Sequence, residues 1–205
     1  MSALTIRNVT KRFGERTLFS NLTADLPERG LYLLLGDSGT GKTTLLRMIA
    51  GLDSDFEGEI LGGGKEAVSV AFQEHRLLPA LSALRNVSEP LRAAGMSRAE
   101  AAAAAKEALL SVDLSEEAHA LRPAALSGGM RQRVSLARAF AVKRKILLLD
   151  EPEKELDETL RERICALIAK EAEERLVIVV THTPERLLPF SDGVITIEGE
   201  KRNTP

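Results

Sequence analysis

The chain has 205 residues, of which 44% are hydrophobic and 28% charged, as in a soluble globular domain with a sizeable core. Its 28 basic and 30 acidic residues give a net charge of −2, which excludes nucleic-acid binding through bulk positive charge. The single cysteine, Cys165, cannot form an internal disulfide, so we expect a reducing compartment and a packing role for this side chain.

The chain begins with an alternating, strand-like pattern and lacks the apolar stretch of a signal peptide. Its apolar runs at 31–35 and 146–149 are too short to span a bilayer, so we expect no membrane crossing by this chain.

Strand-like and helical patterns alternate along the sequence. The predicted strands are 4–9, 17–26, 31–35, 68–72, 146–149, 177–181 and 194–198. The runs at 146–149 and 177–181 are continuously apolar, which is typical of parallel strands buried on both faces. Helical patterns at 43–50 and 156–174 lie between strands. This alternation predicts an α/β sheet with helices on both sides.

The segment GDSGTGKT (36–43) lies between an apolar strand and a helix and matches a phosphate-binding loop. The glycines Gly36, Gly39 and Gly41 would let successive backbone N–H groups turn toward phosphate oxygens. Lys42 would reach the β- and γ-phosphates, and the Thr43 hydroxyl would bind Mg²⁺. The alternative is a chance glycine-rich turn. The flanking strand and helix favour the phosphate-binding loop, because such a turn would not require them.

The segment AFQEHRLLP (71–79) places Gln73 at the end of a predicted strand. An uncharged amide there can contact Mg²⁺ or an attacking water. From about residue 75 to 140 the pattern predicts helices and loops only. Ser97 and Glu100 form a capping box before an alanine-rich helix, and the loop GGGK (62–65) reads as a tight connection between strands.

The segment ALSGGMRQRVSLARAF (125–140) has Ser127 as an N-cap, followed by Gly128, Gly129 and a helix over 131–140. A helix start with free N–H groups, a hydroxyl and no acidic residue can bind an anion. Taken alone, Ser-Gly-Gly is better interpreted as an ordinary loop-to-helix junction, and the rest of the chain must decide.

Two apolar strands are followed directly by polar residues that suit catalysis. ILLLDEP (146–152) places Asp150 and Glu151 at the carboxyl edge of the sheet, where open α/β sheets bind ligands. Asp150 can hold Mg²⁺, and Glu151 can orient and deprotonate a water. VIVVTHTPE (177–185) places His182 at the same edge, within reach of a γ-phosphate or that water. His75 and His119 are interpreted as structural.

Together these segments resemble the nucleotide-binding subunit of an ATP-binding cassette (ABC) transporter over nearly the whole chain. Phe13, GDSGTGKT, FQ, LSGGM, ILLLDEP, a Leu-Asp turn and His182 follow in the family's order. The resemblance implies a P-loop NTPase core with an antiparallel β subdomain and an inserted helical subdomain. The chain would then be one ABC ATPase domain (1–205), with its α/β core at about 1–74 and 141–205 and its helical subdomain at about 75–140.

The same resemblance implies binding of ATP and Mg²⁺ and hydrolysis of ATP. The catalytic residues would be Glu151, His182 and Gln73, and the Mg²⁺ ligands Thr43, Gln73 and Asp150. The nucleotide-binding residues would be Phe13, Gly36, Asp37, Ser38, Gly39, Thr40, Gly41, Lys42, Thr43, Thr44, Ser127, Gly128, Gly129 and Asp157. In the family Phe13 stacks on adenine, whereas Ser127 and the signature glycines bind the γ-phosphate of ATP held by the other subunit.

The partners implied are a second ATP-binding subunit in a head-to-tail dimer, transmembrane permease subunits and a substrate-binding protein, with no nucleic acid. The chain would lie on the cytoplasmic face of the membrane as a peripheral subunit and be soluble when isolated. FQEHRLLPALSALRNV and LSGGMRQRVSLARAF resemble importers of the nitrate, sulfonate and taurine type.

Three positions depart from that pattern: Phe13 stands in place of tyrosine, Ala80 in place of an aromatic residue, and EKELD (153–157) puts charge beside the dimer interface. The alternatives are a soluble ABC-type clamp or switch, or the ATPase of an exporter or extractor. A P-loop kinase or GTPase would not explain the presence of the LSGGM segment. The sequence does not identify the transported substrate.

Overall fold

The computed structural model describes residues 2–197 and contains two β-sheets flanked by helices. A five-stranded parallel sheet has the order β5-β6-β7-β3-β8. Its strands are Gly30–Leu35 (β3), Val68–Ala71 (β5), Ile146–Asp150 (β6), Leu176–Val180 (β7) and Gly193–Thr196 (β8). Every residue of β6 and β7 is buried, because layers cover both faces of the sheet. The predicted continuous apolar strands are thereby confirmed, and residue 198 of the last predicted strand lies outside the described residues.

A smaller antiparallel sheet has the order β2-β1-β4. Its strands are Ser2–Phe13 (β1), Arg16–Pro27 (β2) and Glu57–Leu61 (β4). The strand β4 is missing from the sequence prediction, because EGEIL is mostly exposed and carries no apolar pattern. The strand β4 forms because it pairs with β1. Gly62, directly after β4, lets the backbone come close to Ala3 of β1. A Cβ there, at φ 86°, would lie 2.0 Å from the Ala3 carbonyl oxygen.

Four α-helices and one short 3-10 helix (Pro123–Ala125) lie between β5 and β6 and form the helical segment that the sequence predicts. The α-helices are Ala83–Ala93 (α2), Arg98–Ser111 (α3), Glu116–His119 (α4) and Gly128–Ala141 (α5). The capping box of α3 is confirmed, since the Ser97 N–H donates to Glu100 Oε2 at 2.9 Å and the Glu100 N–H donates to Ser97 Oγ at 3.3 Å. The alanine-rich sequence gives α3 a small apolar face at Ala101, Ala105 and Leu109, which packs against α2 and α5.

The remaining helices, Lys42–Ile49 (α1) and Glu158–Glu174 (α6), cover opposite faces of the parallel sheet. On β6, Leu147 and Leu149 pack toward the layer that contains α6 and the helical segment. Leu148 packs toward α1 and the antiparallel sheet. The fold class is therefore confirmed: a P-loop α/β core, an antiparallel sheet and an inserted group of helices. Within residues 2–197, none of the helices combines the length and apolar character that a membrane crossing requires.

Candidate functional site

An open cavity of about 550 Å³ lies at the carboxyl edge of the parallel sheet. It is lined by Phe13, Arg16, Leu18, Ser38, Gly39, Gly41, Lys42, Thr43, Thr44, Gln73, Asp150, Glu151, Val180 and His182. Four separate segments of the sequence, each predicted to bear chemistry, thus meet around one space. The cause is topological, because parallel strands end at the same edge of a sheet.

The phosphate-loop sequence folds as a tight loop that leads into α1. Gly36, Gly39 and Gly41 have φ values of 149°, 79° and 99°, which favour glycine. The buried Lys42 ammonium donates to the carbonyls of Gly36 at 2.7 Å and Asp37 at 2.9 Å. The first turn of α1 contains no acidic residue, so its N–H groups and Lys42 form one positive surface.

Thr43 and Asp150 are joined although 107 residues separate them in the chain. The Thr43 hydroxyl donates to Asp150 Oδ2 at 2.7 Å, and Asp150 is only 2% exposed. Burial raises the pKa of the Asp150 carboxyl, and the Thr43 hydrogen bond partly offsets that shift. A hydroxyl, a carboxylate and the Gln73 amide lining the same cavity are hard oxygen donors of the kind that Mg²⁺ prefers. Residues 2–197 contain no cluster of three or more histidine, cysteine or acidic side chains suited to a metal.

Glu151 and His182 form a direct pair at the end of the cavity. Glu151 adopts a left-handed conformation with φ 52°, and its N–H donates to the Val180 carbonyl at 2.9 Å. Its Oε1 lies 3.1 Å from His182 Nε2, and its Oε2 lies 3.4 Å from the Lys154 ammonium. Both carboxylate oxygens are therefore held, and the left-handed backbone is the strained geometry that functional residues often adopt.

Phe13 presents a half-exposed ring to the same cavity. The Lys11 ammonium lies 4.8 Å from the centre of the ring and is held by Asp53 and Asp55. One face of the ring is thus occupied by a cation, and the aromatic ring can stack a planar group. Arg16, which no motif in the sequence indicates, lines the same cavity and donates to the Gly39 carbonyl at 3.2 Å.

The signature segment lies apart from this cavity within the described chain. Ser127 is exposed, caps α5 by accepting a hydrogen bond from the Met130 N–H at 3.2 Å, and is followed by a first turn without acidic residues. The helix begins at Gly128, three residues earlier than predicted, so both signature glycines belong to its first turn. Neither they nor Asp157 line the cavity, and Asp157 instead caps α6 by accepting from the Leu160 N–H at 2.9 Å. Gly36, Asp37 and Thr40 shape the phosphate loop without lining the cavity.

Gln132, which no motif in the sequence indicates, bonds the signature helix α5 to the turn of Glu151 and Pro152, called the catalytic turn after the role predicted for Glu151. Its Nε2 donates to the carbonyls of Glu151 at 3.3 Å and Pro152 at 3.2 Å. Glu155 packs against the two signature glycines: a Cβ on Gly128 would lie 2.3 Å from Glu155 Oε2, and one on Gly129 2.8 Å from Glu155 O. In the sequence Gln132 stands between Arg131 and Arg133, so the pattern gave no signal for this connection.

Comparison with known proteins decides the family. The ABC transporter family pattern matches residues 19–154, about two thirds of the chain. The chain belongs to the ABC transporter family. Named relatives include the Fe(3+) ions import ATP-binding proteins FbpC of Brucella abortus (strain 2308), at 41% identity over 96% of this chain, and of Escherichia coli (strain K12), at 39% over 94%. The chain spans 58% of the length of each of these two relatives.

Solved structures of the family show the same fold. A dimeric structure of the ATP-binding cassette MJ0796 in a post-hydrolysis state, bound to ADP and Pi, is 31% identical. It aligns over 97% of both chains with a TM-score of 0.85. A second dimeric structure of MJ0796, titled a bacterial ABC transporter cassette, matches equally well. The predicted family and fold are therefore confirmed, whereas the likeness to the nitrate, sulfonate and taurine type stays a prediction, since these two relatives are named for iron import.

Proposed function

We propose that this chain binds and hydrolyses ATP as the nucleotide-binding subunit of an ABC transporter. One observation carries the proposal: a single cavity brings together the phosphate loop, the Thr43–Asp150 pair and the Glu151–His182 pair. Anion-binding N–H groups, oxygen ligands for a divalent cation and a held carboxylate are the components that hydrolysis of a triphosphate requires.

ATP would lie along the cavity with its adenine on Phe13 and its phosphates in the loop of residues 36–43. The α1 N–H groups and the Lys42 ammonium would bind the phosphate oxygens. Thr43, Asp150 and Gln73 would hold Mg²⁺, which when bound supplies positive charge that neutralises the phosphates. Arg16 lies close enough to the Gly39 carbonyl to keep the loop beside the Phe13 strand.

Glu151 would orient the attacking water and accept its proton. Its carboxylate is held on one side by His182 and on the other by Lys154, so the direction of its oxygens is set before the water arrives. His182 would also hydrogen-bond the γ-phosphate. Lys42 would stabilise the negative charge that develops on the phosphate oxygens.

A complete site would need two subunits. Ser127, Gly128 and Gly129 lie outside the cavity of their own chain. The N-terminus of α5 would be a second place for phosphate oxygens once the Glu155 side chain, which packs against Gly128, moves aside. A head-to-tail dimer would place the signature segment of one subunit over the ATP of the other, with Asp157 at the interface. The solved cassette structures described as dimeric support the pairing of two subunits.

The membrane partners would be permease subunits, with a substrate-binding protein if transport is import. The names of the FbpC relatives support import. The loop after Gln73 would contact a permease: Leu78 is exposed, and Arg138 and Asn86 hold the loop by hydrogen bonds to its backbone. The chain would then lie at the cytoplasmic face of the membrane as a peripheral subunit.

The test is ATP hydrolysis by the purified chain with and without Glu151→Gln. The substitution preserves shape and removes the charge, so ATP should still bind while turnover falls by at least ~10²-fold. Glu107→Gln, an exposed carboxylate on α3, is the matched control and should hydrolyse ATP at the normal rate. A Glu151→Gln chain that turns over near the wild-type rate would remove Glu151 from this role.

A further inference from the structure

The loop that carries Glu151 and the loop that carries His182 are joined at two places. The first is the contact between Glu151 and His182 in the cavity. The second is next to it, where the Thr183 hydroxyl donates to the buried Glu153 Oε2 at 2.8 Å. Each loop therefore offers two residues to the other.

Glu153 is a buried carboxylate, only 6% exposed. Its other oxygen, Oε1, accepts a weak hydrogen bond from the Cys165 thiol at 3.5 Å. Burial, reinforced by the Glu153 charge, raises the pKa of Cys165 to about 12, so the thiol keeps the proton that it donates. Within residues 2–197, no basic side chain lies within 4.0 Å of the Glu153 carboxylate, although its charge acts on the Arg186 guanidinium from farther away.

Stability alone does not explain a carboxylate at this position. Burying a charge without a cationic partner costs free energy, whereas a leucine of similar volume would pack among the same neighbours at no such cost. What the buried carboxylate provides instead is a fixed hydrogen-bond acceptor for the Thr183 hydroxyl.

Thr183 is fixed from two sides, and His182 lies between it and Thr181. The Thr183 N–H donates to Thr181 Oγ1 at 3.0 Å, and the Thr183 hydroxyl donates to Glu153. The His182 side chain itself is half-exposed, so its own packing does not determine its direction. The bonds of its two neighbours fix the backbone from which the imidazole projects.

We propose that Glu153 is a positioning residue of the ATP-hydrolysis site. Through Thr183 it holds the loop of His182 so that the imidazole stays against the Glu151 carboxylate. This inference rests on the proposed ATPase function for its kinetic consequence, but the contact itself exists without nucleotide and can be measured without turnover.

Three variants of the full chain test the bond. Glu153→Leu removes the acceptor while keeping the volume, Thr183→Val removes the donor with nearly the same shape, and Glu153→Gln keeps an oxygen that can accept from Thr183. We expect the leucine and valine variants to lose about tenfold or more in kcat, because small displacements of catalytic groups are costly. KM for ATP should stay within about twofold in both, since neither residue lines the cavity proposed to hold ATP. The double variant should lose no more than either single one.

Rescue by the glutamine variant separates positioning from mere structural support. Glu153→Gln should keep most of the wild-type kcat, and urea unfolding should show Glu153→Leu to be no less stable than wild type. If the leucine variant fails to fold, Thr183→Val probes the same bond from its other end. A normal kcat in Thr183→Val, or a glutamine variant as slow as the leucine one, would overturn the proposal.

A spectroscopic measurement on the chain without nucleotide gives the second readout. The sequence contains three histidines, so the imidazole NMR signals of His75 and His119 serve as internal references for that of His182. A His182→Gln chain assigns the third signal. We expect Glu153→Leu and Thr183→Val to shift the His182 signal alone, and Glu153→Gln to leave it near its wild-type position. An unmoved His182 signal in both would refute the positioning role, whereas absence of any wild-type ATP turnover would refute only the proposed function.

Discussion

The bond between the signature helix and the catalytic turn allows a quantitative test through Gln132. Gln132→Met keeps the length and volume of the side chain and removes the amide that donates to Glu151 O and Pro152 O. After this substitution the Glu151 carbonyl still accepts a hydrogen bond from the Lys154 N–H at 3.1 Å. The Pro152 carbonyl would lose the one hydrogen bond that it accepts from the described residues.

The expected cost follows from these two carbonyls. Losing one ordinary hydrogen bond costs about 0.5–1.5 kcal/mol, and leaving a buried acceptor without a partner costs about 1–3 kcal/mol. Together they predict that Gln132→Met lowers the free energy of unfolding by about 1.5–4.5 kcal/mol. Little cavity forms, because methionine fills nearly the same volume.

Ser135 on the same helix is the matched control. It is fully buried, and its hydroxyl has no hydrogen-bond partner within residues 2–197. Ser135→Ala removes an unpaired polar group and improves helix propensity, so the unfolding free energy should stay level or rise by about 1 kcal/mol. Two buried polar side chains on one helix thus give opposite predictions.

Equilibrium urea unfolding, followed by circular dichroism without nucleotide, measures both variants. The slope with urea should be unchanged, because neither substitution alters the surface exposed on unfolding. ATP binding by the phosphate loop should persist in Gln132→Met under folding conditions. If that variant lies within about 0.5 kcal/mol of wild type, the bonds to the catalytic turn contribute nothing and the reasoning fails.

Two further predictions concern the site itself. Burial raises the pKa of the Asp150 carboxyl in the folded chain above its usual value near 3.8. As pH rises, the unfolded chain therefore loses this proton at a lower pH than the folded chain does. The ionised carboxylate then lowers the stability of the folded chain. Asp150→Asn should therefore be more stable than wild type at pH 7 with chelator and no nucleotide. Urea unfolding should show that this difference in stability shrinks toward pH 4. A difference that stays constant or has the opposite sign would contradict this prediction. The second prediction concerns two variant chains, Lys42→Ala and Ser127→Arg, each of which also carries Glu151→Gln to suppress turnover. Neither variant should retain ATP as a homodimer. Mixing them should restore up to one ATP per mixed dimer, because one site is then intact, and equal retention by the Ser127→Arg homodimer would leave the signature segment as a helix cap only.

Local patterns in the sequence were enough for the parts of this protein that neighbouring residues decide. The phosphate loop is such a part, because glycine spacing and the adjoining Lys42 and Thr43 act within one turn of backbone. The strands β6 and β7 are another, because a run of apolar residues must be buried on both faces whatever its partners are. The α3 capping box is a third, since its two bonds join residues three apart.

Tertiary structure alone decided the features that depend on residues far apart in the chain. Strand β4 exists because β1 pairs with it, not because its own residues favour a strand. The Thr183–Glu153 bond crosses 30 residues, and Gln132 reaches the catalytic turn across 20. A charged residue in EKELD looks solvent-exposed in sequence, yet the packing of α6 and the His182 loop buries Glu153 and leaves Lys154 outside. Periodicity shows which residue types recur, but only the folded chain determines which carboxylate finds a donor and which remains in water.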